Sequence, residues 1–364
     1  MTTRTVLVAA GGTGGHLFPA AAFSGEMRAR GWRVVLMTDA RGRRYAEGFP
    51  ADEIQDVPAA TIQGVNPFKI AGAALKIMSG IAAARKSLAV MQPAVVAGFG
   101  GYPSLPALEA ALSQKRPVVI HEQNAVLGRV NRTYAARATY VACGFERLDR
   151  LPPSAASRKV VTGNPVRPAI LEARNAGYPS AAPGQPIRIL VTGGSQGARL
   201  FGEVTPNAIA ALDADLRARI EITQQVREEQ VLIVSEEYQR MGVKAEVSPF
   251  FKDMGVKLAQ AHLVIARAGA STVTELQAAG RPSILIPLAI AADDHQTANA
   301  EALSGIGAAD VIDELEFNSK TLARVLAQRL ANPHDLGVRA AAARASAKVD
   351  ATKALADLAE KAAG

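Results

Sequence analysis

VLVAAGGTGGH at residues 6–16 and IRILVTGGSQGA, whose apolar run starts at Ile187 and which ends at Ala198, share one design. Each is an unbroken apolar run that ends in a cluster of glycines and leads into a helix-forming stretch. A run without polar alternation belongs to a strand buried on both faces, the condition of a parallel sheet covered by helices on each side. The glycines allow tight turns and close backbone approach, and the helix that follows presents unpaired N–H groups to an anion. Meeting the design twice predicts an α/β chain of two doubly wound domains facing each other across a cleft, with ligands at the carboxyl ends of the strands.

Working outward, short β-branched runs alternate with alanine-rich stretches almost from end to end. Strands are expected at 5–9, 32–38, 94–97, 117–121 and 139–142, then at 187–192, 219–223, 244–247, 263–266 and 283–286. The 364 residues exceed the roughly 250 to 300 at which single cores stop growing. The stretch 171–186, rich in Pro, Ala and Gly, reads as the linker. The expected division is 1–166, 167–336, and a helical tail 337–364 that either continues the second domain or crosses back to the first.

Composition is that of a globular protein, 49% hydrophobic and 20% charged. The lone Cys143 cannot form an internal disulfide, in keeping with a reducing compartment. No secretory signal is visible at the N-terminus, and the apolar stretch 70–84, interrupted by Gly72, Lys76 and Gly80, is expected to be too short to cross a bilayer. The first 170 residues carry 21 Lys+Arg against 10 Asp+Glu, the remainder 20 against 23, so the basic surface belongs to the first half. Nucleic acid, acidic lipid and phosphorylated substrate would all be drawn to it. With aromatics at 5% and no zinc-finger, RNP or arginine-rich signature, nucleic acid ranks last and is not expected as a partner.

His16 stands at the mouth of the first loop, after Gly14 and Gly15. An imidazole there can take a proton from a sugar hydroxyl, or simply cap the helix or hold phosphate, and from one loop alone the readings weigh evenly. Neither loop is followed by the Lys-Ser/Thr of a P-loop, so nucleotide hydrolysis is disfavoured. Asp39 stands where an NAD ribose would be held, but GGTGGH does not meet the GxGxxG spacing, and a nicotinamide enzyme stays a minor alternative. Ser195 adds a hydroxyl donor to the second nest, and Ala270 and Ser271 open a further helix on which a diphosphate could rest. Glu275 in that helix could bind a ribose diol or merely compensate the helix dipole. Asp293, Asp294, His295 and Gln296 match no tetrahedral metal spacing and read as a helix start or as sugar-hydroxyl partners.

GGTGGHLFPA at 11–20, GFGGYPSLPA at 98–107, HEQN at 121–124, GNPVR at 163–167, GGSQGA at 193–198, RAGASTVTEL at 267–276 and DDHQTANA at 293–300 occur together and in order. Jointly they resemble glycosyltransferase family 28, in particular its peptidoglycan N-acetylglucosaminyltransferases, from residue 5 to residue 310. The resemblance implies a GT-B fold and inverting transfer of N-acetylglucosamine from UDP-GlcNAc to the C4 hydroxyl of the muramyl unit of lipid I, with no cofactor and no obligatory metal. It implies peripheral attachment to the cytoplasmic face of the bacterial inner membrane, and other cell-wall synthesis proteins as partners. It places His16 as the base, with Glu122 in the chemistry and Thr13, Tyr102 and Asn124 around acceptor and sugar. Arg167 and Ser195, helped by Ala270 and Ser271, would hold the phosphates. Glu275 would bind the ribose, the backbone at Phe250 and Phe251 the uracil, and His295 with Gln296 the sugar hydroxyls. Two departures stand out: Gly202 where an asparagine is expected, which puts a polar contact in question, and His262 in place of an aspartate, which is expected to affect only packing.

No acidic residue lies between Asp56 and Glu109, while Lys69, Lys76, Arg85 and Lys86 are basic. Ile70, Ala74, Ile77, Ile81 and Leu88 make one stripe at helical spacing, expected to pack on the sheet. Leu75 and Met78 fall off it. With Ile62, Val65 and Phe68 they form an expected apolar patch with a basic rim, suited to an anionic membrane surface.

Overall fold

The computed structural model describes residues 3–11, 14–44, 46–60, 66–179, 184–194 and 199–364. The chain forms two compact units, Met1–Val166 with Lys348–Gly364, and Arg167–Ala347.

In the first unit, β1 (Thr5–Ala9), β2 (Arg33–Thr38), β3 (Glu53–Asp56), β4 (Val95–Gly98), β5 (Val118–Glu122), β6 (Tyr140–Cys143) and β7 (Lys159–Val161) form a parallel sheet in the order β3-β2-β1-β4-β5-β6-β7. Alternate side chains leave opposite faces, and both faces are covered. Leu7, Val35, Val96 and Ile120 pack under the helices Pro67–Met91 and Leu105–Ser113, whereas Val6, Val8, Val34, Leu36 and Val95 pack under Gly14–Ala29 and the last helix, Ala351–Ala363. This two-sided burial is why the opening strand reads as an unbroken apolar run.

The last helix belongs to the first unit. Leu355 and Leu358 enter its core, and each such burial contributes about 1.5–3 kcal/mol. Arg30 pairs with Asp357 at 2.6 Å and Glu360 at 2.7 Å, and the Trp32 indole donates to Glu360 at 3.0 Å.

In the second unit, β8 (Ile187–Thr192), β9 (Ile220–Gln225), β10 (Lys244–Ser248), β11 (Leu263–Ala266), β12 (Ser283–Leu285) and β13 (Ala309–Val311) form a parallel sheet in the order β10-β9-β8-β11-β12-β13. The sequence reading passed over β3, β7 and β13, and all three are edge strands. An edge strand is half-exposed and short, so it carries no continuous apolar run. The stretch expected as linker begins inside the helix Pro168–Asn175, whose Ile170 and Ala173 are buried in the second unit.

Arg281 is fully buried, and among the described residues no carboxylate is a hydrogen-bond partner of it. Its guanidinium donates to the carbonyls of Leu258, Ala259, Ala279, Gly280 and Gly177, which lie at the carboxyl ends of the helices Met254–Gln260, Ala270–Ala279 and Pro168–Asn175. Burial pulls its pKa down to about 10. Three negative dipole ends converge on one cation, which offsets its loss of water.

The helix Pro67–Met91 runs unbroken through Gly72 and Gly80, capped by Asn66, whose side chain accepts from the N–H groups of Phe68 and Lys69. It is longer than the sequence suggested and, by length and composition alone, could cross a bilayer. Its carboxyl half nonetheless packs into the first unit through Gly80, Ala84 and Leu88, and Gly80 leaves no room for a Cβ, which would fall 2.0 Å from Pro58 O.

Candidate active site

Both sheets reverse their strand order at the first strand of the unit, between β1 and β4 and between β8 and β11. Such a switch point opens a crevice at the strands' carboxyl ends. In the first unit it gathers the loops after β1, β4 and β5. Thr13, like Ser195, Ile62 and Val65, lies outside the described residues.

His16 stands in the first turn of the helix Gly14–Ala29, behind Gly15, and is half-buried. Its Nδ1 lies 2.9 Å from Phe99 O and 3.3 Å from Gln123 Oε1. A carbonyl oxygen can only accept, so Nδ1 carries the proton, and in its neutral form the ring has its lone pair on Nε2. Among the described residues no group bonds to Nε2. Gly100 and Gly101, at φ +88° and +77°, lie against the ring: a Cβ at Gly100 would come within 3.2 Å of Nδ1 and Cε1. The GFGG sequence is thus the floor on which the imidazole lies.

Glu122, expected in the chemistry, is tied into the loop after β5. Its side chain is buried, and the carboxylate accepts from Asn124 N at 3.1 Å and Nδ2 at 3.2 Å, and from Gly128 N and Asn131 Nδ2, both at 2.9 Å. With both oxygens engaged by these donors, it orders the loop after β5. Asn124 is half-buried on that loop, and Tyr102 is half-buried in the turn Tyr102–Ser104 after β4. Gln123 and His121 were not singled out in the sequence, yet they sit at the centre of the network. Asp39, the nicotinamide candidate, is buried, accepts from Gly42 N at 2.9 Å and pairs with Arg41 at 3.4 Å, so its carboxylate closes a local turn.

In the second unit the helix Ala270–Ala279 begins after Gly269 with no side-chain cap and no acidic residue in its first turn. Leading N–H groups of that kind can hold an anion, the role expected of Ala270 and Ser271. Arg167 and Glu275, expected on phosphate and ribose, face each other in a two-pronged ion pair with both contacts at 2.8 Å. Arg167 is half-exposed while Glu275 is mostly covered. Phe251 is buried beneath Lys257, and Phe250 is exposed. Gln296 Oε1 accepts from Leu288 N at 3.1 Å, and His295 is half-buried at the start of its helix.

The two departures acquire physical content. The space a side chain at Gly202 would enter is filled by the Gln230 amide, 2.6–3.0 Å from the position of a Cβ. His262 does more than pack: its Nδ1 accepts from Arg188 N at 2.9 Å, a role a carboxylate oxygen can also fill.

The chain matches the models of the glycosyltransferase family 28 N-terminal domain at residues 6–143 and C-terminal domain at 188–360. It is 52% identical to a Maricaulis maris protein over 98% of this chain and 97% of that one, and 50% identical to a Caulobacter vibrioides protein over 99% of each. Both are named UDP-N-acetylglucosamine--N-acetylmuramyl-(pentapeptide) pyrophosphoryl-undecaprenol N-acetylglucosamine transferase. Among solved structures, Acinetobacter baumannii MurG superposes with a TM-score of 0.83 at 32% identity, covering 98% of this chain and 99% of that chain.

Proposed function

The chain belongs to glycosyltransferase family 28, and from that premise we propose that it moves N-acetylglucosamine from UDP-GlcNAc to the muramyl hydroxyl of lipid I, giving lipid II and UDP. Its paired Rossmann-like units are those of the GT-B fold. The observation that carries the reading is the protonated Nδ1 of His16, which leaves Nε2 as a base at a strand-order switch point.

Nε2 takes the proton from the C4 hydroxyl as that oxygen attacks the anomeric carbon. The bond from that carbon to the diphosphate breaks, and UDP leaves with the electron pair. One displacement inverts the configuration. Charge growing on the leaving group would meet the uncapped N–H groups of the helix Ala270–Ala279 and the guanidinium of Arg167, once Arg167 has left Glu275 for phosphate and Glu275 has turned to the ribose. Thr13 and Ser195 would join the acceptor and phosphate contacts, Tyr102 and Asn124 the acceptor, Phe251 the base, and His295 and Gln296 the sugar.

Transfer of labelled N-acetylglucosamine from UDP-GlcNAc to a lipid I analogue tests the reading. The expected product is a β-linked disaccharide lipid, and a folded, UDP-binding protein that makes none would overturn it.

The acceptor's undecaprenyl tail places the reaction at a membrane. Phe68, Ala71, Leu75, Met78 and Ala82 recur at i, i+3, i+7, i+10 and i+14 along the helix Pro67–Met91, and all five are exposed. Lys69, Lys76 and Lys86 are exposed on the same helix. This surface docks the enzyme on anionic lipid as a peripheral protein. Reversing the three lysine charges is expected to remove about 1 kcal/mol of lipid attraction per residue. Binding to phosphatidylglycerol vesicles should fall while transfer to a short-chain soluble acceptor persists.

A further inference from the structure

The hydrogen bonds behind His16 have a fixed direction, because three of the atoms in them are carbonyl oxygens that can only accept. Gly163 O lies 3.1 Å from His121 Nε2, so that nitrogen carries the ring proton of His121. A neutral imidazole has one N–H, which leaves His121 Nδ1 as an acceptor. The atom facing it, at 3.1 Å, must be the Gln123 amide nitrogen. The carbonyls of Phe99 at 3.1 Å and His121 at 3.2 Å surround that same nitrogen and require a donor there as well. Gln123 Oε1 is thereby turned the other way, onto Nδ1 of His16, where it stands beside Phe99 O as a second acceptor.

We propose that Gln123, itself held by His121, is a positioning residue for the base: beside Phe99 O, which sets the tautomer, it holds the plane of His16 and takes up part of the charge that appears when Nε2 accepts a proton. This inference rests on the reading of His16 as the base. Before proton transfer, Nδ1–H makes ordinary neutral hydrogen bonds to two oxygens. Afterwards the ring is an imidazolium, and the same bonds become charge-assisted and roughly twice as strong. An interaction that strengthens as the reaction proceeds raises kcat and leaves substrate binding alone.

The far end of the chain is equally fixed. Burial holds the His121 pKa down to about 4, so the ring stays neutral and the direction does not reverse under ordinary conditions. The Phe99 ring packs against His121 at 5.5 Å between centroids. Gly163, at φ +83°, abuts Lys348 and Ala351, which anchors the last carbonyl against the closing segment of the first unit. Space-filling alone would be satisfied by leucine at position 123; only the relay needs an amide there.

In the full-length protein Gln123→Leu is expected to lower kcat about tenfold, with KM for UDP-GlcNAc and UDP affinity unchanged. In NMR spectra of the variant, the His16 Nδ1–H, left with Phe99 O as its acceptor, is expected to shift upfield while Nδ1 stays protonated. Gln123→Met keeps the length of the side chain and lacks the oxygen against Nδ1, and it should shift the Nδ1–H signal and lose rate as the leucine variant does. Wild-type kcat in Gln123→Leu overturns the proposal, as does an unchanged His16 spectrum. If the leucine variant does not fold, the methionine variant decides: an unchanged Nδ1–H signal there overturns the proposal and a shifted one supports it. A wild-type protein that transfers no sugar would sink the functional reading, whereas the spectra need no turnover and still judge the relay.

Discussion

The loops around His16 and the groups around Arg167 solve opposite problems with the same materials. In the first unit Phe99 O, the Gln123 amide and the His121 ring behind the imidazole are each committed to a fixed partner, and among the described residues the lone pair on Nε2 remains uncommitted. In the second unit the ionic groups are spent on each other, Arg167 against Glu275, while a helix N-terminus is left uncapped. A base has to be aimed before its substrate arrives, because its work is done in one direction and at one atom. A site for a nucleoside diphosphate can wait in an ion-paired form, provided the incoming ligand offers each partner something better.

The largest expected effect comes from removing what the first region aims. His16→Ala should lower kcat by roughly 100- to 10,000-fold, with UDP affinity retained in a calorimetric titration. If both were lost together, the two regions would not be separable. Next, Glu122→Gln sets an amide N–H against donors that now face a carboxylate. It should lower the stability of the first unit by about 3 kcal/mol, read as a drop in the urea midpoint. Were Glu122 instead a proton carrier, the rate would fall and the midpoint would stay.

Breaking the ion pair from its acidic side probes the second region. Glu275→Gln should weaken UDP binding about tenfold through the lost ribose contact, yet make inorganic pyrophosphate a stronger inhibitor, because Arg167 no longer has to leave a carboxylate. Parallel weakening of both would refute the idea of a self-neutralised site. The smallest effect is expected at Gly202. Alanine there gains about 1 kcal/mol of helix propensity and displaces the Gln230 amide, whose hydrogen bonds are worth about the same, so the melting temperature should barely move.

The same contrast explains what the sequence discloses. The interior strands announce themselves because sheets covered on both faces demand apolar residues at every position, as in VLVA at 6–9. The edges β3, β7 and β13, with Glu53, Asp56 and Asp310 among their few residues, obey no such demand. The glycine clusters are visible as letters, and so is His16. Its tautomer is not, since it depends on atoms from positions 16, 99, 121, 123 and 163 meeting in space. Gln123 stood inside a quoted motif and was passed over because an amide has no chemistry of its own to advertise. Glu122 shows the converse: a carboxylate beside a histidine suggests catalysis, and only the structure shows the four donors that tie it into its loop. In the second unit the pairing of residues 108 positions apart has no sequence signature at all.

Arg281 bears on how the second unit assembles. A partly formed unit that lacked any one of the three helices ending on its guanidinium would hold a cation facing fewer carbonyls in a nearly water-free place. Fraying one helix therefore weakens the hold on the other two, and the three should open as a single cooperative block in native-state hydrogen exchange. Lysine, a point charge with three donors and no planar fork, could not bind them together in the same way.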